Sequence, residues 1–326
     1  MSSRNATCMG AMALLACLAT NLNAAPLYSE NFEVDPTANW AVNKGPATTD
    51  AATNFFFDYS TVGIPSAPNS GGTTRGLKLQ ANQSSAVFGG VSVSPNGQSF
   101  AGDYKVRFDW WSNYNGPAPV GGSGSTQMST FGLDTSGTTA QWPGGAQDSI
   151  WFAATGDGNS ASDWRAYSPT APTRYADTAP GIYAAGAVAG SSNQSNAYYS
   201  GFGGVSAPAA QTALFAQQTG VSLVGSSAFE WHDVIIAKSG ASVTWTVGGL
   251  LIATVPVADD TVATGNNIFF GHADINATSS SDVNDVNLLF TLIDNVRVIP
   301  EPASVTMLGM SVVGLMAGAR RRRSLA

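Results

Sequence analysis

The chain has 326 residues, enough for one large domain or two small ones, and its 36 glycines and 11% charged residues favour short strands and tight turns over long surface helices. Only four lysines and four glutamates occur, too few for helices laced with charge pairs. Five of the 14 basic residues, Arg4 and Arg320 to Arg323, lie in terminal segments; the remaining nine face 21 acidic residues, which argues against nucleic acid as a partner and suits divalent cations and neutral glycans better.

At the N-terminus, Arg4 is followed by an apolar stretch from Ala6 to Ala19 and then by Leu22-Asn23-Ala24-Ala25, whose small residues permit signal-peptidase cleavage. Residues 1–24 are therefore expected to be a signal peptide. Leu14-Leu15-Ala16-Cys17 approaches a lipobox, the alternative in which Cys17 becomes a lipidated anchor, although the apolar run continues past it. Both cysteines, Cys8 and Cys17, fall in this segment, so the exported chain would have no disulfide and would depend on a large core.

Residues 25–299 contain segments that alternate with period two, the mark of half-buried strands. Tyr104 to Trp110 sets Val106, Phe108 and Trp110 on one face and Lys105, Arg107 and Asp109 on the other. Phe229 to Ile236 reads as a strand, Ala241 to Val247 and Leu250 to Val255 as a hairpin turning on Gly248-Gly249, and Ile268 to Gly271 and Leu288 to Ile299 as two more strands. Asn113 to Gln127 and Ala166 to Gln218 break this rhythm and read as excursions from the rim. Sheets with one apolar face must bury it, so the expected fold is an all-β, two-sheet antiparallel sandwich.

Trp231-His232-Asp233, the hairpin Val243 to Val255 and Leu292 to Val298 resemble the final strands of concanavalin A-like lectin/glucanase jelly rolls, laminin-G-like domains included. Tyr28 to Glu33 with Trp40 resembles the matching first strand. The resemblance implies a jelly roll and raises glycoside hydrolysis as a question. Retaining enzymes need two carboxylates roughly 5 Å apart, and the related glucanases carry them as Glu-x-Asp-x-x-Glu. That pattern is missing here; Glu230 and Asp233, three apart, fall on opposite faces of a strand. No nucleophile elbow, Walker loop or dinucleotide fingerprint occurs, and His232 and His272 without cysteines make a poor zinc site. A non-enzymatic protein is expected.

Calcium is the metal that the composition permits, since Asp and Asn oxygens on glycine-rich turns are hard ligands. In a jelly roll the first and last strands lie together, so Glu33 is expected near Asp294; Asp274 with Asp282, and Asp157 with Asp163, offer further clusters, and all of these also read as turn-forming residues. For glycan binding, Trp151, Trp164, Tyr167, Tyr198 and Tyr199 are the expected aromatic platform, whereas Trp110, Trp111, Trp231 and Trp245 read as core.

The C-terminus carries Pro300-Glu301-Pro302, an uncharged run from Ser304 to Ala319, and Arg320-Arg321-Arg322-Arg323. As a helix the run would span about 24 Å, slightly short of a hydrocarbon core of roughly 30 Å. Four consecutive arginines hold such a tail on the cytoplasmic side and leave the preceding domain outside. The arrangement closely resembles the PEP-CTERM sorting signal, over residues 300–326. It implies a transient membrane anchor, recognition by an exosortase, cleavage near Pro300-Glu301-Pro302, and delivery to the envelope or an extracellular polysaccharide matrix. The expected function is a non-enzymatic exported surface or matrix protein, processed by signal peptidase and exosortase; the alternatives are a lectin-like binder and, after it, a glycoside hydrolase.

Overall fold

Alternating apolar and polar residues build two antiparallel sheets. The computed structural model describes residues 25–45, 51–81, 89–115, 127–156, 160, 162–187, 193–274 and 284–301. Its strands are β1 (Tyr28–Glu30), β2 (Trp40–Gly45), β3 (Ala52–Asp58), β4 (Arg75–Gln80), β5 (Gly89–Pro95), β6 (Tyr104–Asn113) and β7 (Gln127–Thr135). They continue as β8 (Ile150–Thr155), β9 (Trp164–Tyr167), β10 (Trp231–Ser239), β11 (Ser242–Val247), β12 (Leu250–Pro256), β13 (Asn267–Asp274) and β14 (Phe290–Pro300). The eight-stranded sheet runs β12-β11-β10-β6-β14-β4-β3, with β1 also on β14; the six-stranded sheet runs β2-β5-β13-β7-β8-β9.

The two inner faces meet in an aromatic core. Phe108 of β6 lies 4.9 Å from Phe270 and 5.3 Å from Phe131 between ring centres, and Trp245 of β11 stacks on Phe152. The expected hairpin is present, its turn made by Gly248 and Gly249 with φ of 55° and 84°, the left-handed region that two-residue hairpins require. The predicted strand at Phe229 begins two residues later, because Phe229 itself has φ of 68° and leaves the ladder.

The stretch from Ala166 to Gln218, expected to leave the rim, instead folds back onto it. Ala184 donates its N–H to the Ile252 carbonyl and Thr254 donates to the Ile182 carbonyl, an antiparallel bridge of Tyr183 with Ala253, so this segment caps the β12 edge of the eight-stranded sheet. Ile182, Tyr183, Tyr199 and Phe202 thereby enter the main core. A short helix, α1 (Ala209–Leu214), packs on Gly63, where a Cβ would stand 2.3 Å from the Gln211 nitrogen.

Among the described residues no helix is long and apolar enough to cross a membrane. The expected signal peptide (residues 1–24), Pro302 and Arg320 to Arg323 all lie outside the described residues.

Candidate functional site

The outer face of the eight-stranded sheet is graded along its strands. At one end, Trp111, Phe290, Leu292 and Phe229 form a second apolar cluster under the segments that follow β3 and precede β10. Next comes a row of three carboxylates, Asp233, Asp109 and Asp294, set opposite one another on β10, β6 and β14. One step further, Arg107 and Arg297 stand opposite each other, with Ile235 and Ser29 on the flanking strands, and Lys105 lies beyond them. The offset between the two rows comes from a bulge in β14: Asn295, at φ of 54°, turns so that Val296 and Val298 point into the core and Arg297 points out.

The middle acid is built in. Asp109 accepts from the Asn69 backbone N–H at 3.0 Å, from Asn69 Nδ2 at 2.6 Å and from Asn295 Nδ2 at 2.9 Å. It is fully buried, its charge met by amide donors. Asp294 accepts from the Asn295 backbone N–H at 2.7 Å and from the Tyr59 hydroxyl at 3.1 Å. Burial pushes its carboxyl up to about 8, the Asp109 and Glu33 carboxylates push the same way, and the two hydrogen bonds resist. Asp233 sits at the open end of the row and takes Arg107 at 2.6 Å.

Glu33 follows β1, which pairs with β14, and its carboxylate is one of the charges that disfavour an ionised Asp294. Glu33 Oε1 is buried and makes no hydrogen bond. These oxygens are of the kind calcium takes, and an orphaned carboxylate oxygen beside a reluctant second carboxyl is what a cation would relieve. Asp109 has its oxygens occupied, and among the described residues no three His, Cys, Asp or Glu side chains converge as a cage. Such a cation would depend on Glu33, Asp294 and backbone carbonyls. The second proposed cluster is not assembled in the described residues: Asp274 is buried at the end of β13, and Asp282 lies outside them, as does Asp157 of the third.

The aromatic platform is corrected by the structure. Trp151 and Tyr167 are cross-strand neighbours on β8 and β9, stacked at 3.7 Å with an interplanar angle of 5°, and neither is exposed. Trp164 is buried on the inner face, its indole N–H donated to the Gly225 carbonyl, with Tyr199 stacked on it and also buried. Tyr198 is half-buried and gives its hydroxyl to the Leu251 carbonyl. Sugar faces need open rings, and four of these five rings are spent on packing.

Catalytic groups are equally constrained. Glu230, just before β10, accepts from the Gly203 N–H and lies 3.9 Å from His232, whereas Asp233 is paired with Arg107. His232 is buried against Trp110, bonded to the Ser227 carbonyl, and held below its usual value by burial. His272 lies between the sheets, paired with Thr291 and Gln127, and burial pulls it down to about 3.

No family model matches the chain, and no curated protein matches it. Solved structures of similar strand arrangement include a galectin-like protein of unknown function from Bacillus subtilis, 10% identical over 85% of this chain and 97% of that one, TM-score 0.38. A Bacteroides ovatus mixed-linkage glucan GH16 protein bound to product is 13% identical over 84% of this chain and 100% of that one, TM-score 0.41. The exoplasmic domain of VIP36 with calcium and mannose is 9% identical over 82% and 84%, TM-score 0.35. At such scores these neighbours decide nothing about what this chain binds.

Sequence reasoning singled out neither Asp109 nor Arg297 as site residues. The signal for Asp109 was there, since it shares the polar face of β6 with Lys105 and Arg107.

Proposed function

We propose that the chain is a non-enzymatic exported protein of the cell envelope or exopolysaccharide matrix, a sandwich of the concanavalin A-like type whose tail is cut by an exosortase. The observation that carries the reading is where the fold stops. β14 ends at Pro300, the first residue of Pro300-Glu301-Pro302, so a cut after Pro300 or Glu301 leaves the strand whole and one after Val298 removes only the pairings of Ile299 and Pro300 with Lys105 and Tyr104. Two weak ties, the Glu301 N–H to the Asp103 carbonyl at 3.0 Å and Glu301 to Lys105 at 3.4 Å, are the contacts a cut would release. A non-catalytic role is supported by the burial of Asp109 and Asp294, which denies a substrate access to the two carboxyl groups set opposite each other on β6 and β14. Calcium, held through Glu33 and Asp294, is the accompanying structural proposal.

The test is fractionation of cells producing the wild type and a variant with Arg320 to Arg323 changed to serine. Wild type should accumulate outside the inner membrane without its tail, and the variant should stay uncut or be misrouted. Identical fractionation and processing of the two would contradict the sorting role of the arginines.

A further inference from the structure

The row of cations on the outer face of the eight-stranded sheet is unusual in so acidic a chain. Three of the nine basic residues between the terminal segments, Lys105, Arg107 and Arg297, line one groove of about 880 Å³ beside the exit of β14. Arg107 and Arg297 are directly opposite across β6 and β14, an arrangement of like charges that weakens a sheet. Two of the three cations carry an internal ion pair. Asp233 takes Arg107 and Glu301 takes Lys105, while Glu30, also in the groove, has one oxygen committed to the Phe32 N–H at 2.8 Å. Arg297 has no acidic partner among the described residues and is exposed. The Lys105 and Arg107 side chains remain 33% and 44% exposed.

We infer that this groove binds a carboxylated polysaccharide, with Arg297 as its unpaired docking cation. The inference rests on the matrix reading above and replaces the neutral glycan that composition favoured with an acidic one. Lys105 and Arg107 are two residues apart on one strand, about 7 Å, and Arg297 is one strand over, about 5 Å. A regular array of this kind suits a polymer that offers a carboxylate on each repeat. Ile235 and Ile299 alternate with the cations and give sugar rings an apolar surface to lie against. Guanidinium groups grip carboxylates by two parallel hydrogen bonds, which gives the row selectivity beyond its charge. Before the tail is cut, Glu301 occupies Lys105 as an internal carboxylate, and a cut on its N-terminal side would free that lysine.

The experiment is binding of full-length protein in mild detergent to polygalacturonate, with dextran and phosphatidylglycerol vesicles as comparison arms. Polygalacturonate should bind, dextran should not, and 0.5 M salt should weaken binding strongly, as screening within a few ångströms demands. Arg297→Glu should lower the affinity at least tenfold and Arg297→Gln several-fold, with thermal midpoints at or slightly above the wild-type value, because the side chain is exposed and its repulsion with Arg107 is relieved. Equal binding by wild type and Arg297→Glu, or binding to the vesicles alone, overturns the inference. Protein that remains in the cytosol would sink the export reading without touching this assay; exported, processed protein with no affinity for polygalacturonate would sink the groove alone.

Discussion

The outer faces of the two sheets are built in opposite ways. On the six-stranded sheet, Met128, Trp151, Ala153, Tyr167 and Phe269 form a dry cluster, and the rings that look most like a ligand platform are covered. On the eight-stranded sheet the same kind of surface changes within three residue steps from aromatic to acidic to cationic, and it opens at Asp233 and along the last band. Aromatic content marks where this protein is packed, and unpaired charge marks where it is available. Burial removes a ring from sugar recognition, whereas Arg297 makes no ion pair among the described residues.

The largest effect is expected on the covered face of the six-stranded sheet. Trp151→Ala removes the ring stacked on Tyr167 and should destabilise the fold by about 3–5 kcal/mol in a denaturant titration; a variant of normal stability that loses sugar binding would restore the platform. Asp109→Ala removes a buried acceptor shared by three part-buried donors of Asn69 and Asn295, which water can partly serve, and should cost about 1–3 kcal/mol. A smaller effect would mean that water reaches the acid row.

Asp294 sharpens the contrast through pH. Its folded value, about 8, lies above the unfolded 3.8, so its contribution is fully present below 3.8 and is lost as pH rises through 8. His272 acts from the other side: held at about 3 against 6.5 unfolded, it contributes fully above 6.5 and loses that contribution as pH falls toward 3. Metal-free protein should therefore be most stable between these limits. Asp294→Asn should flatten the alkaline decline, and millimolar calcium should raise the thermal midpoint of the wild type more at pH 8 than at pH 5, because the cation needs the ionised carboxylate. Calcium stabilisation that survives in Asp294→Asn would place the ion elsewhere. Last and smallest, Asp233→Asn breaks an exposed ion pair and should cost about 1 kcal/mol or less, while strengthening polygalacturonate binding by releasing Arg107.

Much of the sandwich was legible because local chemistry fixed it. Gly248-Gly249 could hardly be anything but a tight hairpin, and Val106, Phe108 and Trp110 declare the inward face of β6 by alternation alone. Trp151 and Tyr167 misled because they lie among Gly and Ser, where loops are expected. Yet Ile150 to Ala154 is a continuous apolar run with no polar alternation, the signature of a strand covered on both faces. The acid row was half legible. Asp109 was visibly on a polar face, but its meaning comes from Asn69, 40 residues away, and Asn295, 186 away, partners that spacing cannot reveal. The pairing of β1 with β14 was legible because the closure of a jelly roll by its first and last strands is a rule of topology.

Export and removal of the tail can be read from one number, the intact mass of the protein recovered from outside the cell. The mass should correspond to a chain beginning at Ala25 or Pro26 and ending between Val298 and Glu301. A mass that retains Arg320 to Arg323, or full-length chain found soluble in the cytosol, would contradict the account.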